Sequence, residues 1–480
     1  MKCKPIHIRP KRRKKNRPSK TQQCINTTAQ PDAAGIDIGA DEIVAAVPPD
    51  RDSVSVRTFS SFTGGVHELR DWLLACGVKT VAMESTGNYW VTSYDVLERA
   101  GIEVFLVNAR HVKGVPGKKT DVCDAQWLQQ LHAAGLLKKS FRPAQDILPL
   151  RYLMRHRAGL VEELSRQVLL MQKVLTEMNL KIHHVFSDLD GLSAQAIITA
   201  ILAGERDAAT LAALRDRRCR SSVETVMAAL QGDYREEYLF VLGQCQSQWL
   251  HHLQSLADLD VRIEVLIKEI ATKPDEGDDS PAATEQPAQP AQPAQRPEPK
   301  QTKPLGKNTL RMDVAAEAER FYGVDLSAID GVGSGLLGVL MSELGPREQI
   351  LGAFPAPAQF CSWMGLNPAN DISGGKVLKA KTRSVKNRLA DAFRLCALGL
   401  ANAKGLMGQY SRRIKGRLGK AEGITATAHK LARVVYAMIA TGRAYDEKEA
   451  FRITPQNRQK QLNKLQKQAE ALGFQIVAVP

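Results

Sequence analysis

The stretch GIDIGADEIVAAV, residues 35–47, holds one carboxylate, Asp37, within an apolar run of strand-like composition, where Asp is among the least favoured residues. A carboxylate kept for structure alone would more often cap a turn at the strand's end. A second, Glu84, closes the apolar run of TVAMESTGNYW and leads into a Ser/Thr/Gly turn, and strand ends are where loops carry chemistry. Asp121 and Asp124 follow in KKTDVCDAQWLQQL. Three apart at the start of a helical stretch, they share a face near the positive end of the helix dipole. One of them can serve simply as an N-cap, which leaves the other to be explained. Carboxylates delivered from two strands and one helix face can hold one or two divalent cations about 4 Å apart and so neutralise a phosphodiester during its displacement. Without metal, such like charges raise each other's pKa.

The C-terminal part offers a different chemistry. In DISGGKVLKAKTRSVKNRLADAF, Ser373 precedes Gly374 and Gly375, and the cations Lys376, Lys379, Lys381, Arg383, Lys386 and Arg388 follow. A hydroxyl beside two glycines is accessible, and the cations would attract phosphate; a solvated loop before a basic helix would read the same way. Val385, Leu389, Phe393 and Cys396 make the apolar face expected of that helix. Upstream, IDGVGSGLLGVLMSELGP places Gly331 and Gly333 between helical stretches, in the form of a helix-hairpin-helix whose turn amides approach a nucleic-acid backbone. A glycine turn between packed helices looks identical. Tyr410, with Arg412, Arg413 and Lys415, is either a further nucleic-acid contact or a packing residue.

The elements that must position these groups follow from periodicity. Residues 35–47 read as a strand, a tight turn at Gly39 to Asp41 and a second strand, and Ser53 to Phe59 alternates as a third. A helix near Val66 to Ala75, a strand at Thr80 to Met83, a helix around Val91 to Ala100 and a strand at Ile102 to Val107 come next. Three strands followed by alternating helix and strand is the order of an α/β RNase H-like (RuvC-like) domain, assigned to 34–147. From 148 to 273 the strands stop. Leu164, Val168, Met171, Leu175 and Met178 recur at the seam spacing of a coiled coil, which predicts a helical coiled-coil insertion mediating self-association, although an ordinary bundled helix fits the same spacing. Residues 274–304, with a PAQ repeat, read as a flexible or polyproline-like linker. A mostly α, basic domain over 305–446 and a Gln/Lys-rich tail over 447–480, a frayed helix or disordered, complete the chain.

The net charge of +15 over 480 residues raises the prior for a polyanionic partner, nucleic acid first. Part of that excess lies in the arm at 1–33, which reads either as a disordered solubilising segment or as an electrostatic anchor on phosphates. It lacks the apolar core of a secretory signal. No later run is apolar and long enough for a membrane span, so no membrane partner and a cytoplasmic location are expected. The eight cysteines show no CxxC or Cys/His metal spacing, so neither disulfides nor structural zinc is expected. No GxSxG elbow or Ser/His/Asp arrangement points to a hydrolase.

GIDIG, ESTGNYW, KTDVCDAQWLQQL, IDGVG, FCSWMGLNP, SGGK and ITATAHKLARVVYAMI, in this order over roughly Ala34 to Tyr445, resemble the DEDD-type insertion-sequence transposases, described as bridge-RNA-guided serine recombinases. The resemblance implies a RuvC-like domain, a coiled-coil region and a C-terminal transposase domain. Its acidic positions fall on Asp37, Glu84, Asp121 and Asp124, as Mg2+ ligands, and its nucleophilic serine falls on Ser373. It further implies double-stranded DNA and a structured bridge RNA as partners, and a homo-oligomer, dimer or tetramer, in which protomers complete a composite site. The basic arm, the long helical region and the PAQ linker depart from a minimal member. Two rivals stay open on the residues alone: a RuvC-like nuclease or junction resolvase with Ser373 structural, and a nucleic-acid-binding protein without catalysis. An actin-like ATPase shares the Asp-x-Gly strand, but neither a second such strand nor a Walker loop is present.

Overall fold

The computed structural model describes residues 29–84, 87–108, 121–272, 308–452 and 455–475. The chain divides into two compact units, Met1–Arg142 and Pro143–Pro480. The basic arm up to residue 28 and the linker at 274–304 lie outside the described residues.

The first unit is built on a five-stranded mixed sheet of order β3-β2-β1-β4-β5. Its elements are β1 (Ala33–Ile38), β2 (Glu42–Ala46), β3 (Val56–Ser60), α1 (Thr63–Ala75), β4 (Thr80–Glu84), α2 (Trp90–Arg99), β5 (Glu103–Val107) and α3 (Asp121–Ala133). β1 pairs antiparallel with β2 and parallel with β4, which pairs parallel with β5. The expected strand order holds, with element ends displaced by a few residues. β1 is central, and its alternation sorts its side chains between two layers. Ala34, Ile36 and Ile38 pack with Leu69 and Leu73 of α1 and Leu97 of α2. The opposite face is covered by α3, where Val44 and Ala46 meet Ala125, and Ala82 and Val107 meet Leu128 and Leu131.

In the second unit two long helices, α4 (Leu148–Glu177) and α9 (Glu236–Thr272), pack along each other. Four short ones lie between them in the chain: α5 (Ile182–Val185), α6 (Leu192–Leu202), α7 (Ala208–Ala213) and α8 (Val223–Ala229). The coiled-coil reading needs correction here. Leu164, Met171, Leu175 and Met178 are buried against Ile197, Ile201, Leu211 and Leu242 of the same chain, with Val168 half-buried beside them. The seam that predicted self-association is therefore consumed within the chain, and it gives no basis for a contact with a second copy. Near the other end of the pair, Arg157 bonds Asp260 with two nitrogens at 2.6 and 3.1 Å, both side chains buried.

The C-terminal helices follow: α10 (Val314–Tyr322), α11 (Ser334–Leu344), α12 (Arg347–Ala353) and α13 (Pro357–Trp363). Then come a hairpin, β6 (Pro368–Ser373) and β7 (Lys376–Thr382), and helices α14 (Arg388–Gly399), α15 (Leu406–Leu418), α16 (Lys420–Thr441), α17 (Glu447–Ala450) and α18 (Pro455–Ala471). α11 is buried along most of its length and packs on α10, α14 and α4. Buried Glu343 of α11 ties it to α4 through Arg151 at 2.9 Å and Arg155 at 2.8 Å. Removing Glu343 would leave two guanidinium groups uncompensated, the costly way to break a buried ion pair. The segment read as a tail is thus helical over much of its described length. Among the described residues, no helix is long and apolar enough to cross a membrane.

Candidate active site

Asp37 and Glu84 are each half-buried, on neighbouring parallel strands. The β1–β4 register pairs Gly35 with Ala82 and Ile36 with Met83, so continuing it by one residue sets Asp37 beside Glu84. Both share the strand face of Gly35 and Ala82, the side that α3 covers. Gly35 makes that cover close: a Cβ there would lie 2.3 Å from the Gln129 backbone nitrogen and 2.4 Å from the Ala125 carbonyl oxygen. No other residue has so small a profile at this contact.

The direction of α3 follows from three contacts. The Ala133 carbonyl accepts from the amides of Ala29 and Gln30, Gln129 Nε2 donates to the Ala33 carbonyl at 3.2 Å, and Ala125 faces Gly35. The helix therefore runs antiparallel to β1, and its first turn, with Asp121 and Asp124, comes to the strand end that bears Asp37. Asp124 is half-buried, and the side chain of Asp121 lies outside what is described. All-carboxylate donors of this kind suit a hard divalent cation. Among the described residues, however, no three His, Cys, Asp or Glu side chains are gathered closely enough to hold one. Farther along α3, buried His132 meets Thr80 Oγ1 through Nε2 at 2.8 Å and stacks against Phe105. Burial pulls its pKa down to about 4, so it is neutral at pH 7 and holds helix to sheet.

Ser373 is not in a loop before a helix. It ends β6 at the tip of a two-residue hairpin, directly opposite Lys376. Gly374 and Gly375, at φ +57° and +76°, supply the positive φ values that a type I′ turn demands. Ser373, Lys376, Lys381, Lys386 and Arg388 are all exposed, while the side chain of Lys379 lies outside what is described. Arg383 is exposed but engaged, donating to the carbonyl and hydroxyl oxygens of Ser362 in α13, which anchors the returning strand. The expected helix begins later than its apolar pattern implies. Asn387 caps α14 by accepting from the Ala390 amide at 3.0 Å, so Leu389 and Phe393 are buried on it whereas Val385 precedes it. The signal for a hairpin is present in the sequence, as Gly-Gly between two short alternating runs.

The two glycines of IDGVG part company. Gly331, at φ +87°, faces Leu400, which a Cβ would meet at 2.9 Å, so its small size is used inside the fold. Gly333 starts α11 with open space around it. Tyr410 packs against Phe451, with Arg413 over its ring. Arg412 donates to the carbonyls of Ala401 and Ala403, and Lys415 to that of Ala397.

Comparison with protein families gives two matches. The DEDD-type IS110 transposase model covers residues 34–180, a span that contains all four carboxylates. The transposase IS116/IS110/IS902 family model covers residues 325–412, which includes the Ser373 hairpin and both IDGVG glycines. No curated protein matches the chain. The first match fits the observed mixed sheet of RNase H-like order. A metal-dependent fold of that kind also agrees with the carboxylates brought to one strand end. The chain therefore carries both transposase domains of the IS110 type and is a DNA-cutting and rejoining enzyme.

Proposed function

We propose that the enzyme is the recombinase of an insertion sequence, that Ser373 attacks DNA, and that a structured RNA of the element selects the DNA ends by base pairing. The observation that carries this reading is the display of Ser373 on a glycine-turned hairpin opposite Lys376, inside the matched transposase segment. In the step proposed, a bond forms between Ser373 Oγ and phosphorus as the bond from phosphorus to the leaving sugar oxygen breaks. The serine proton passes to water and the departing alkoxide is reprotonated. A serine hydroxyl is a weak nucleophile at neutral pH, so the step needs help with charge. Asp37, Glu84, Asp121 and Asp124 would hold Mg2+, which when bound supplies stabilisation of the negative charge that develops on the phosphodiester.

Lys376 and the exposed cations Lys381, Lys386 and Arg388 would draw the DNA backbone to the hairpin without reading sequence, the division of labour expected where base pairing selects the site. Lys379 and the turn at Gly331 and Gly333 belong to the same proposed surface, with Arg383 holding the hairpin in place. We assign 274–304 as a tether between the helical region and the transposase domain, and a dimer or tetramer as the working assembly. Incubation of the protein with Mg2+, junction DNA and the element's flanking noncoding RNA tests the reading. Protein-linked DNA that requires both Ser373 and the RNA supports it. Cutting that survives Ser373→Ala and ignores the RNA would instead identify a RuvC-like nuclease whose C-terminal domain clamps DNA.

A further inference from the structure

A cavity of about 250 Å³ opens at the end of β1, beginning at Ile38 and Gly39, the residues directly after Asp37. Its polar lining comes from Ser61, Asn88, Tyr89, Thr92 and Ser93, and the remaining wall is Gly39, Ala40 and aliphatic side chains. The turn that forms its floor is fixed by the Gly39 amide donating to the Glu42 carbonyl at 2.9 Å. The opposite wall is the start of α2, held by Trp90 Nε1 donating to the Gly87 carbonyl at 3.1 Å. Ser93 is 1% exposed yet lines the space, whereas Tyr89 stands 56% exposed beside it.

The lining excludes some ligands. None of these residues is charged, so a phosphate has no counter-ion here, although the chain carries a net charge of +15. The volume is below the ~300–1,000 Å³ of pockets for drug-sized ligands. What remains is one small planar group, able to bond hydroxyls and an amide at its edge and to stack on an aromatic ring, which describes an unstacked nucleobase. We infer that this cavity takes a single base of the DNA strand whose phosphate is presented to Asp37 and Glu84. Pulling one base out of the stack there would set the register of the cut strand against the carboxylates. The inference rests on the reading of Asp37 and Glu84 as the DNA-cutting site and gives that site a second contact, neutral where the hairpin is cationic.

The test uses the full chain in EDTA, so that binding is read without chemistry, with short single-stranded DNA carrying one 2-aminopurine and the matching RNA as probes. Native protein should change 2-aminopurine fluorescence on binding the DNA. Tyr89→Ala, at an exposed side chain, should remove that signal and weaken binding about tenfold, the scale of removing a single base–aromatic stack. Tyr89→Phe, which keeps the ring, should restore both. Equal affinity and equal signal in Tyr89→Ala would overturn the pocket, as would a signal seen only with the RNA strand. A Tyr89 effect that persists while cutting proves independent of Asp37 would keep the pocket and defeat the catalytic reading, so the two failures are distinguishable.

Discussion

Asp37 and Glu84 meet because two parallel strands end side by side and one helix leaves their shared face open at its first turn. Replacing either by its amide keeps the shape and removes the charge. Asp37→Asn and Glu84→Gln should therefore each lower Mg2+-dependent strand cutting by at least about a hundredfold while DNA binding persists, measured by single-turnover cleavage beside a filter-binding control. His132 makes a separate prediction for stability. Its ordinary pKa of 6.5 falls to about 4 on folding, so the unfolded chain takes up the proton first as pH drops. The stabilisation is complete above about pH 6.5 and is lost as pH falls toward 4, by up to about 3 kcal/mol. Denaturant unfolding across that window should show the slope, and His132→Leu should flatten it while lowering stability throughout. Residue types are the most legible part of the site. Asp37 stands out because a charge inside an apolar strand needs a reason, whereas Ser373 has no such contrast with its polar surroundings and is marked only by a family resemblance.

Among the elements, α3 is positioned by what β1 lacks. Gly35→Ala would drive a methyl into the backbone at Gln129 and Ala125, neither of which is a flexible side chain that can swing away. The expected cost is about 1–3 kcal/mol, together with a displaced first turn of α3, so thermal unfolding and cutting should fail together. The strands and helices of the first unit are readable because each face of the sheet is covered and the alternation is clean. Spacing misleads in the helical region. A heptad-like row specifies a buried stripe but not the chain that buries it, and here the cover comes from α6, α7 and α9 of the same molecule. The hairpin escapes a reading by pattern for another reason: its strands carry exposed Ile372 and Leu378 among cations, so no buried face enforces alternation, and only the Gly-Gly turn marks it.

For the molecule as a whole, the excess of positive charge acts through counterion release. DNA affinity should fall steeply with salt. Replacing Lys376, Lys381, Lys386 or Arg388 with Ala should make the log–log slope shallower by about 0.9 for each phosphate that is no longer neutralised. Arg383→Ala should act differently, loosening the hairpin's anchor on Ser362 and lowering strand transfer more than binding. Charge and composition point to nucleic acid but do not separate cutting from holding, because both need the same cations. That distinction depends on the carboxylates and the serine acting on one phosphodiester. The most direct test is a denaturing gel of labelled junction DNA incubated with Mg2+, the flanking RNA and either native protein, Ser373→Ala or Asp37→Asn. A protein–DNA adduct formed by the native enzyme and absent with both variants is the expected result; cut DNA without adduct, persisting in Ser373→Ala, would contradict the account.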